Sequence, residues 1–271
     1  MFCKTEFEEG INMATVMLDA GHGGFDNGAV FGSRKEKEDT LNLVLAIGNM
    51  LENAGVDVLY TRTVDEYQSP SQKAQIANES DADYFISIHR NSGAEPDLYA
   101  GVQTLVYEDS GIPAVFAQNI NSELAKVGFN NIGVEERKNL AVLRRTRMPS
   151  ALVEVGFINT AEDNEIFDKR FPEIARAVTQ GILKTVQGAD VRSQSVESYS
   201  IEIGSFRHYE NAQELAQSLQ ERGFDCFIVS DNGYHSVYHG RFDDFKSAET
   251  AEKILFAHGY ETRVVPNVRQ R

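Results

Sequence analysis

Positive charge is scarce in this chain. Its 271 residues carry 26 Lys and Arg against 41 Asp and Glu, a formal net charge of −15. That balance argues against holding a polyanion such as nucleic acid by simple attraction. Cysteine is scarcer still. Cys3 and Cys226 are the two present, and their separation forms neither a zinc-ribbon spacing nor a disulfide framework. Long apolar runs are absent: none approaches eighteen residues, so no membrane span is expected. The opening MFCKTEFEEGIN is acidic and lacks a basic region followed by an apolar one, so it does not read as a secretory signal. The expectation is synthesis in the cytoplasm without a signal peptide. Residues 1–12 read as a loose extension, or as an upstream start ahead of Met13.

What is present is a regular alternation. TVMLD (Thr15–Asp19) reads as a strand, and Leu41, Val44, Leu45, Ile47, Met50 and Leu51 recur at helical spacing over Thr40–Asn53. VDVLYTR, YFISIH, GVQTLVY and ALVEV read as further strands. Helices are expected over Ser71–Glu79, Pro113–Val127 and Phe171–Val186. Strands alternating with helices predict an α/β unit with a mostly parallel sheet flanked by helices, over residues 13–187. The polar stretch 188–198 reads as a linker. Beyond it, Gly204 and Phe206 match Gly240 and Phe242, and Ala212, Leu219 and Val229 match Ala248, Leu255 and Val265, all at a period of 36 residues. Two copies of strand, Gly-x-Phe, helix, Gly-aromatic and strand predict a small β-α-β-β-α-β domain over 199–266, with an Asn-Gly turn at the seam.

Three ionisable residues end or interrupt apolar strands: His22 in DAGHGG, His89 in SIHRN and Glu154 in LVEVGF. In an open α/β sheet functional groups collect at the carboxyl ends of strands. These three, remote in sequence, are therefore expected to meet at one edge. Two imidazoles with carboxylates suit a zinc site, and Gly21, Gly23 and Gly24 leave room for an ion. A buried glutamate also needs a partner or a task. A third ligand is offered by Glu36, Glu38 and Asp39, all at a helix start where the dipole favours acids. Residue chemistry alone does not choose among them.

The stretches MLDAGHGGFDNGAV, EKEDTL, VLYTR, ANESDADYFISIHRNS and PSALVEVGFINT, in that order, resemble the zinc-dependent N-acetylmuramoyl-L-alanine amidases of bacterial cell walls. The likeness runs from about Met13 to Val186. It implies zinc held by His22, a glutamate and His89, with Glu154 as the catalytic carboxylate. For the ligand glutamate it favours Glu36, which keeps Leu41, Leu45, Met50 and Leu51 on the family's apolar stripe; Glu38 is the second choice. Thr40 stands where the family usually has Asn, and Arg90 where a small residue is common, which would alter the cleft wall. Asp19 is a candidate to orient His22, Asn91 to shape the cleft, and Arg144 to meet a stem-peptide carboxylate. Each of these also has a plain structural reading.

Residues 199–265 resemble the SPOR domain, a family that binds peptidoglycan glycan strands lacking stem peptides. RNA-binding modules share the fold plan, but six Arg and Lys against eleven Asp and Glu over 199–266 disfavour RNA. Together the resemblances imply a zinc amidase that cleaves between N-acetylmuramic acid and L-alanine. Its role would be wall lysis or remodelling, such as mother-cell lysis or phage-type lysis after membrane failure. The rivals are a catalytically inactive wall-binding protein and a zinc hydrolase of another amide.

Overall fold

The computed structural model of the protein describes residues 14–192, 198–231, 233–243 and 245–266. The extension at 1–12 and Cys3 lie outside the described residues, as do residues 193–197 of the expected linker and Asn232 of the expected Asn-Gly turn. The first unit runs β1 (Thr15–Ala20), β2 (Val30–Phe31), β3 (Arg34–Lys35), α1 (Glu36–Asn53), β4 (Asp57–Tyr60), α2 (Pro70–Asn78), β5 (Tyr84–Asn91), β6 (Val102–Val106), α3 (Gly111–Val127), β7 (Asn131–Glu136), α4 (Ala141–Arg145), β8 (Ser150–Phe157), α5 (Ala161–Lys169) and α6 (Phe171–Arg192). Six strands form one sheet in the order β4-β1-β5-β8-β6-β7, while β2 and β3 form a separate small hairpin.

Alternation along the strands sorts the side chains into two cores. Val16, Leu18, Ala20, Ile86, Ile88, Ala151, Val153 and Val155 face the helices α1, α3 and α6. Met17, Phe85, Leu105 and Leu152 face the other way, toward Ala77 of α2 and Val142 and Leu143 of α4. Each fully buried Val, Leu, Ile or Phe contributes about 1.5–3 kcal/mol, so the sheet is fixed from both faces. Local signals set the helix ends. α2 starts at a capping box in which Ser69 accepts from Gln72 N and Gln72 accepts from Ser69 N, with Pro70 in the first turn.

The sheet is mostly parallel, with one reversal. β4, β1, β5 and β8 run parallel, but β6 is antiparallel to β8. No helix separates β5 from β6. A chain leaving β5 at its carboxyl end therefore re-enters β6 from that same end, because a parallel return needs a crossover. β7 follows after α3 and is parallel to β6. α6 continues through Arg192, past the Val186 where sequence spacing ended it, so the beginning of the expected linker is helical.

The second unit is β9 (Tyr199–Phe206), α7 (Tyr209–Glu221), β10 (Cys226–Asp231), β11 (Tyr234–Phe242), α8 (Phe245–Ala257) and β12 (Arg263–Pro266). Its four antiparallel strands are ordered β10-β11-β9-β12. Ile201, Ala212, Leu219, Val237, Ala248 and Leu255 make a core of their own, and the 36-residue repeat places the Ala212/Ala248 and Leu219/Leu255 pairs in it. The two units touch where the Arg147 guanidinium lies 3.7 Å from the Phe256 ring and that of Arg263 4.6 Å from the Tyr107 ring.

Candidate metal centre

The carboxyl ends of β1 and β5, two neighbouring strands, deliver the two histidines. His22 follows β1 in a left-handed conformation, φ 61°, which non-glycine residues adopt rarely. His89 sits near the end of β5. The third group arrives from the β2–β3 hairpin, which leads directly into Glu36, the first residue of α1. The His22, Glu36 and His89 ligating atoms all lie within 4.8 Å of one another.

Glu36 is 3% exposed, and its carboxylate is surrounded by four nitrogens. Oε1 takes Arg90 N at 3.0 Å and His89 Nδ1 at 2.9 Å, while Oε2 takes Ala29 N at 2.8 Å and faces His22 Nε2 at 3.1 Å. Burial opposes ionisation here, but the two imidazoles outweigh it and hold the Glu36 carboxyl well below the usual carboxylate range. Burial likewise works against charge on His22, yet Glu36 and Asp26 push its pKa up to about 9. Positive charge is thus favoured at this point. Two imidazoles and a carboxylate are the donor set of a tetrahedral zinc site with one position open. The backbone leaves space for it: a Cβ on Gly28 would fall 2.5 Å from Glu36 Oε2, and one on Gly21 would fall 2.5 Å from His89 Cε1.

Glu154 lies within β8, in register with His89 on β5. Its Oε2 is buried without a hydrogen-bond partner. Burial pushes the carboxyl up to about 7 against the pull of His89. A carboxylate poised in that range suits proton transfer near neutral pH.

Other sequence candidates fall elsewhere. Glu38 is exposed and pairs with Lys35 at 3.2 Å, outside the cluster. Asp39, the next residue, receives Arg34 Nε and Arg90 Nη1, each at 2.7 Å. Asn91 ends β5, where its backbone carbonyl accepts from Ile158 N. Three readings are corrected. Asp19 does not orient His22. It is 0% exposed and is held by Lys73 Nζ, Thr61 Oγ1 and Ser87 Oγ, each at 2.6 Å, because its place in the β1 alternation faces α2. Arg144 is on α4 ahead of β8, within electrostatic range of Tyr107, which follows β6 at the end of the strands away from the cluster. Arg90 is also no part of a cleft wall. Its side chain is 1% exposed, donates to Asp39, Asn164 Oδ1 and the carbonyls of Gly156 and Phe157, and lies 4.1 Å from the Phe167 ring.

The residue that does support His22 is Asp26, whose Oδ2 accepts from His22 Nδ1 at 2.9 Å. This bond sets the tautomer and turns Nε2 toward the cluster. The signal was the i, i+4 spacing inside GHGGFD.

Residues 16–184 match the N-acetylmuramoyl-L-alanine amidase family, and residues 195–265 match the SPOR domain family. The chain is 35% identical over 223 residues to the sporulation-specific N-acetylmuramoyl-L-alanine amidase of Bacillus subtilis, covering 80% of this chain and 85% of that protein. It is 34% identical over 223 residues to an N-acetylmuramoyl-L-alanine amidase of Bacillus licheniformis, with the same coverage. Among solved structures, an N-acetylmuramoyl-L-alanine amidase from Clostridium difficile superposes with a TM-score of 0.61 at 31% identity, covering 65% of this chain and 98% of that one. The chain belongs to the N-acetylmuramoyl-L-alanine amidase family, and a SPOR domain follows its amidase unit.

Proposed function

We propose that this chain hydrolyses the amide between the lactyl group of N-acetylmuramic acid and L-alanine in peptidoglycan, at a zinc centre held by His22, Glu36 and His89. The observation that carries the reading is the convergence of these three residues from separate elements, with Glu154 beside His89 in the sheet. Zinc held by His22, Glu36 and His89 would supply Lewis-acid polarisation of the amide carbonyl and a lowered pKa for water near neutral pH.

The protein's own groups do the rest. Asp26 keeps the proton on His22 Nδ1, so Nε2 stays available toward the cluster. Glu154 takes a proton from the attacking water and delivers it to the leaving amine of L-alanine. Its partly buried position keeps the carboxyl close to the midpoint of that exchange. The SPOR unit holds glycan strands stripped of stem peptides, which keeps the enzyme on wall already being degraded. The biological role is wall lysis or remodelling, of the kind that ends in mother-cell or phage-type lysis after membrane failure.

Glu154→Ala tests the assignment. The expected result is loss of L-alanine amino termini released from purified walls, with zinc still bound. A variant that cleaves near the wild-type rate contradicts it.

A further inference from the structure

Phe25 is the most exposed large apolar side chain among the described residues, at 79%. Its ring does not stand alone. It lies 4.1 Å from the ring of Tyr67, centroid to centroid and tilted by 31°, and Tyr67 is itself 41% exposed. The pair is held firmly and close to the metal-ligating cluster. Phe25 caps a tight turn closed by Gly23 N to Asp26 O at 3.0 Å and Asp26 N to Gly23 O at 3.1 Å, and Asp26 is the residue that supports His22. On the Tyr67 side, Asp65 accepts Gly24 N at 2.8 Å and Lys37 Nζ at 2.7 Å, while Lys37 also donates to Gly24 O at 2.7 Å. Lys37 directly follows Glu36. The close approach depends on Gly24, since a Cβ there would fall 2.7 Å from Tyr67 N.

We propose that the stacked Phe25–Tyr67 pair is the platform on which a pyranose ring of the substrate's glycan rests beside the metal-ligating cluster. The proposal rests on the amidase reading above and adds which side of the scissile amide this wall takes. A rigid, solvent-facing apolar patch at the rim of a reaction site marks a ligand contact. A pyranose offers an apolar C–H face that suits the electron-rich faces of aromatic rings, and hydroxyls at its rim. Asp65 and Glu66, both exposed, directly precede Tyr67, and with the Tyr67 hydroxyl they carry the hydrogen-bonding groups that such hydroxyls need. Those same carboxylates disfavour the stem peptide, which carries free carboxylates of its own beyond L-alanine.

The test measures product inhibition of muropeptide hydrolysis by the full chain. Two probes are used: the disaccharide N-acetylglucosaminyl-N-acetylmuramic acid and the free stem tetrapeptide. In Phe25→Ala the disaccharide inhibits about tenfold more weakly, while inhibition by the peptide is unchanged. Phe25→Trp restores the disaccharide's effect. Zinc content and melting temperature stay at wild-type values, as expected for a solvent-facing ring. A disaccharide that does not inhibit the wild type, or that inhibits Phe25→Ala equally well, overturns the proposal. So does weakening of the peptide's inhibition in its place. A wild-type enzyme that releases no L-alanine amino termini overturns the amidase reading itself and this proposal with it.

Discussion

Replacing Lys73 by Met removes one half of a buried ion pair and leaves the other half in place. Asp19 is 0% exposed and Lys73 3%. Burial by itself would raise the Asp19 carboxyl; the charge and hydrogen bond of Lys73, with Ser87 and Thr61, outweigh it and hold the group below its ordinary value. Stranding a buried charge in this way costs about 3–5 kcal/mol. Thr61 and Ser87 still donate to Asp19 in the variant, so the loss lies near the lower end, about 3 kcal/mol. Against a total stability of about 5–15 kcal/mol that is a large fraction, equivalent to a fall in melting temperature of about 6–12 °C. The pH dependence gives the sharper signature. In the wild type the Asp19 pKa is depressed, so its contribution is complete above the unfolded value of 3.8 and is lost as pH falls through that region. Without Lys73, burial raises the folded pKa instead, so the penalty is full at high pH and relaxes as the carboxyl is protonated. The gap between variant and wild type in urea denaturation is therefore widest at pH 8 and narrows toward pH 4.5. Asp19→Asn combined with Lys73→Met recovers part of the loss, and zinc content is unchanged throughout, because Asp19 does not touch His22. A loss under about 1 kcal/mol at pH 8, the scale of an exposed pair, refutes the reasoning, as does a gap that widens on acidification.

Other predictions separate neighbouring residues. Glu36→Ala loses zinc on dialysis while Glu38→Ala retains it, as metal analysis will report; the reverse pattern contradicts the assignment. Asp26→Asn weakens zinc binding about 10–100-fold in chelator competition, whereas Asp19→Asn leaves it unchanged. In the second unit, burial pushes the Glu252 carboxyl from 4.5 up to about 7, with Arg147 and Thr262 offsetting only part of the cost. A raised acid is penalised progressively from pH 4.5 to 7 and fully above that. Glu252→Gln should accordingly stabilise the SPOR unit by about 3 kcal/mol at pH 8 and hardly at all below pH 5, read by thermal denaturation at the two pH values.

The parts of the fold visible in the sequence were those with strong local patterning. The apolar runs of β1, β5 and β8 and the stripe of α1 are dense enough to read, and the same runs made His22, His89 and Glu154 conspicuous as interruptions. β7 was missed because an edge strand with mostly exposed side chains, NIGVEE, has no apolar alternation to find. α4 and α5 are short, with five and nine residues, and bury few side chains. The roles of Asp19 and Arg90 were out of reach for another reason. Each depends on a partner 51 or more positions away, Lys73 for the first and Asp39 and Asn164 for the second, and no local pattern reports such a pairing. The choice between Glu36 and Glu38 hinged on where the β2–β3 hairpin stops, since the residue that opens α1 is the one facing both imidazoles.

The central claim is that His22, Glu36 and His89 hold a zinc ion at which the muramoyl–L-alanine amide is hydrolysed. Its most direct test is digestion of a defined muropeptide by the purified full chain, with and without a chelator, followed by mass spectrometry. The account predicts two products, an intact disaccharide and a stem peptide with a free L-alanine amino terminus. Their formation should stop with chelator and return when zinc is restored. Cleavage at any other bond, or undiminished cleavage after the metal has been removed, would contradict it.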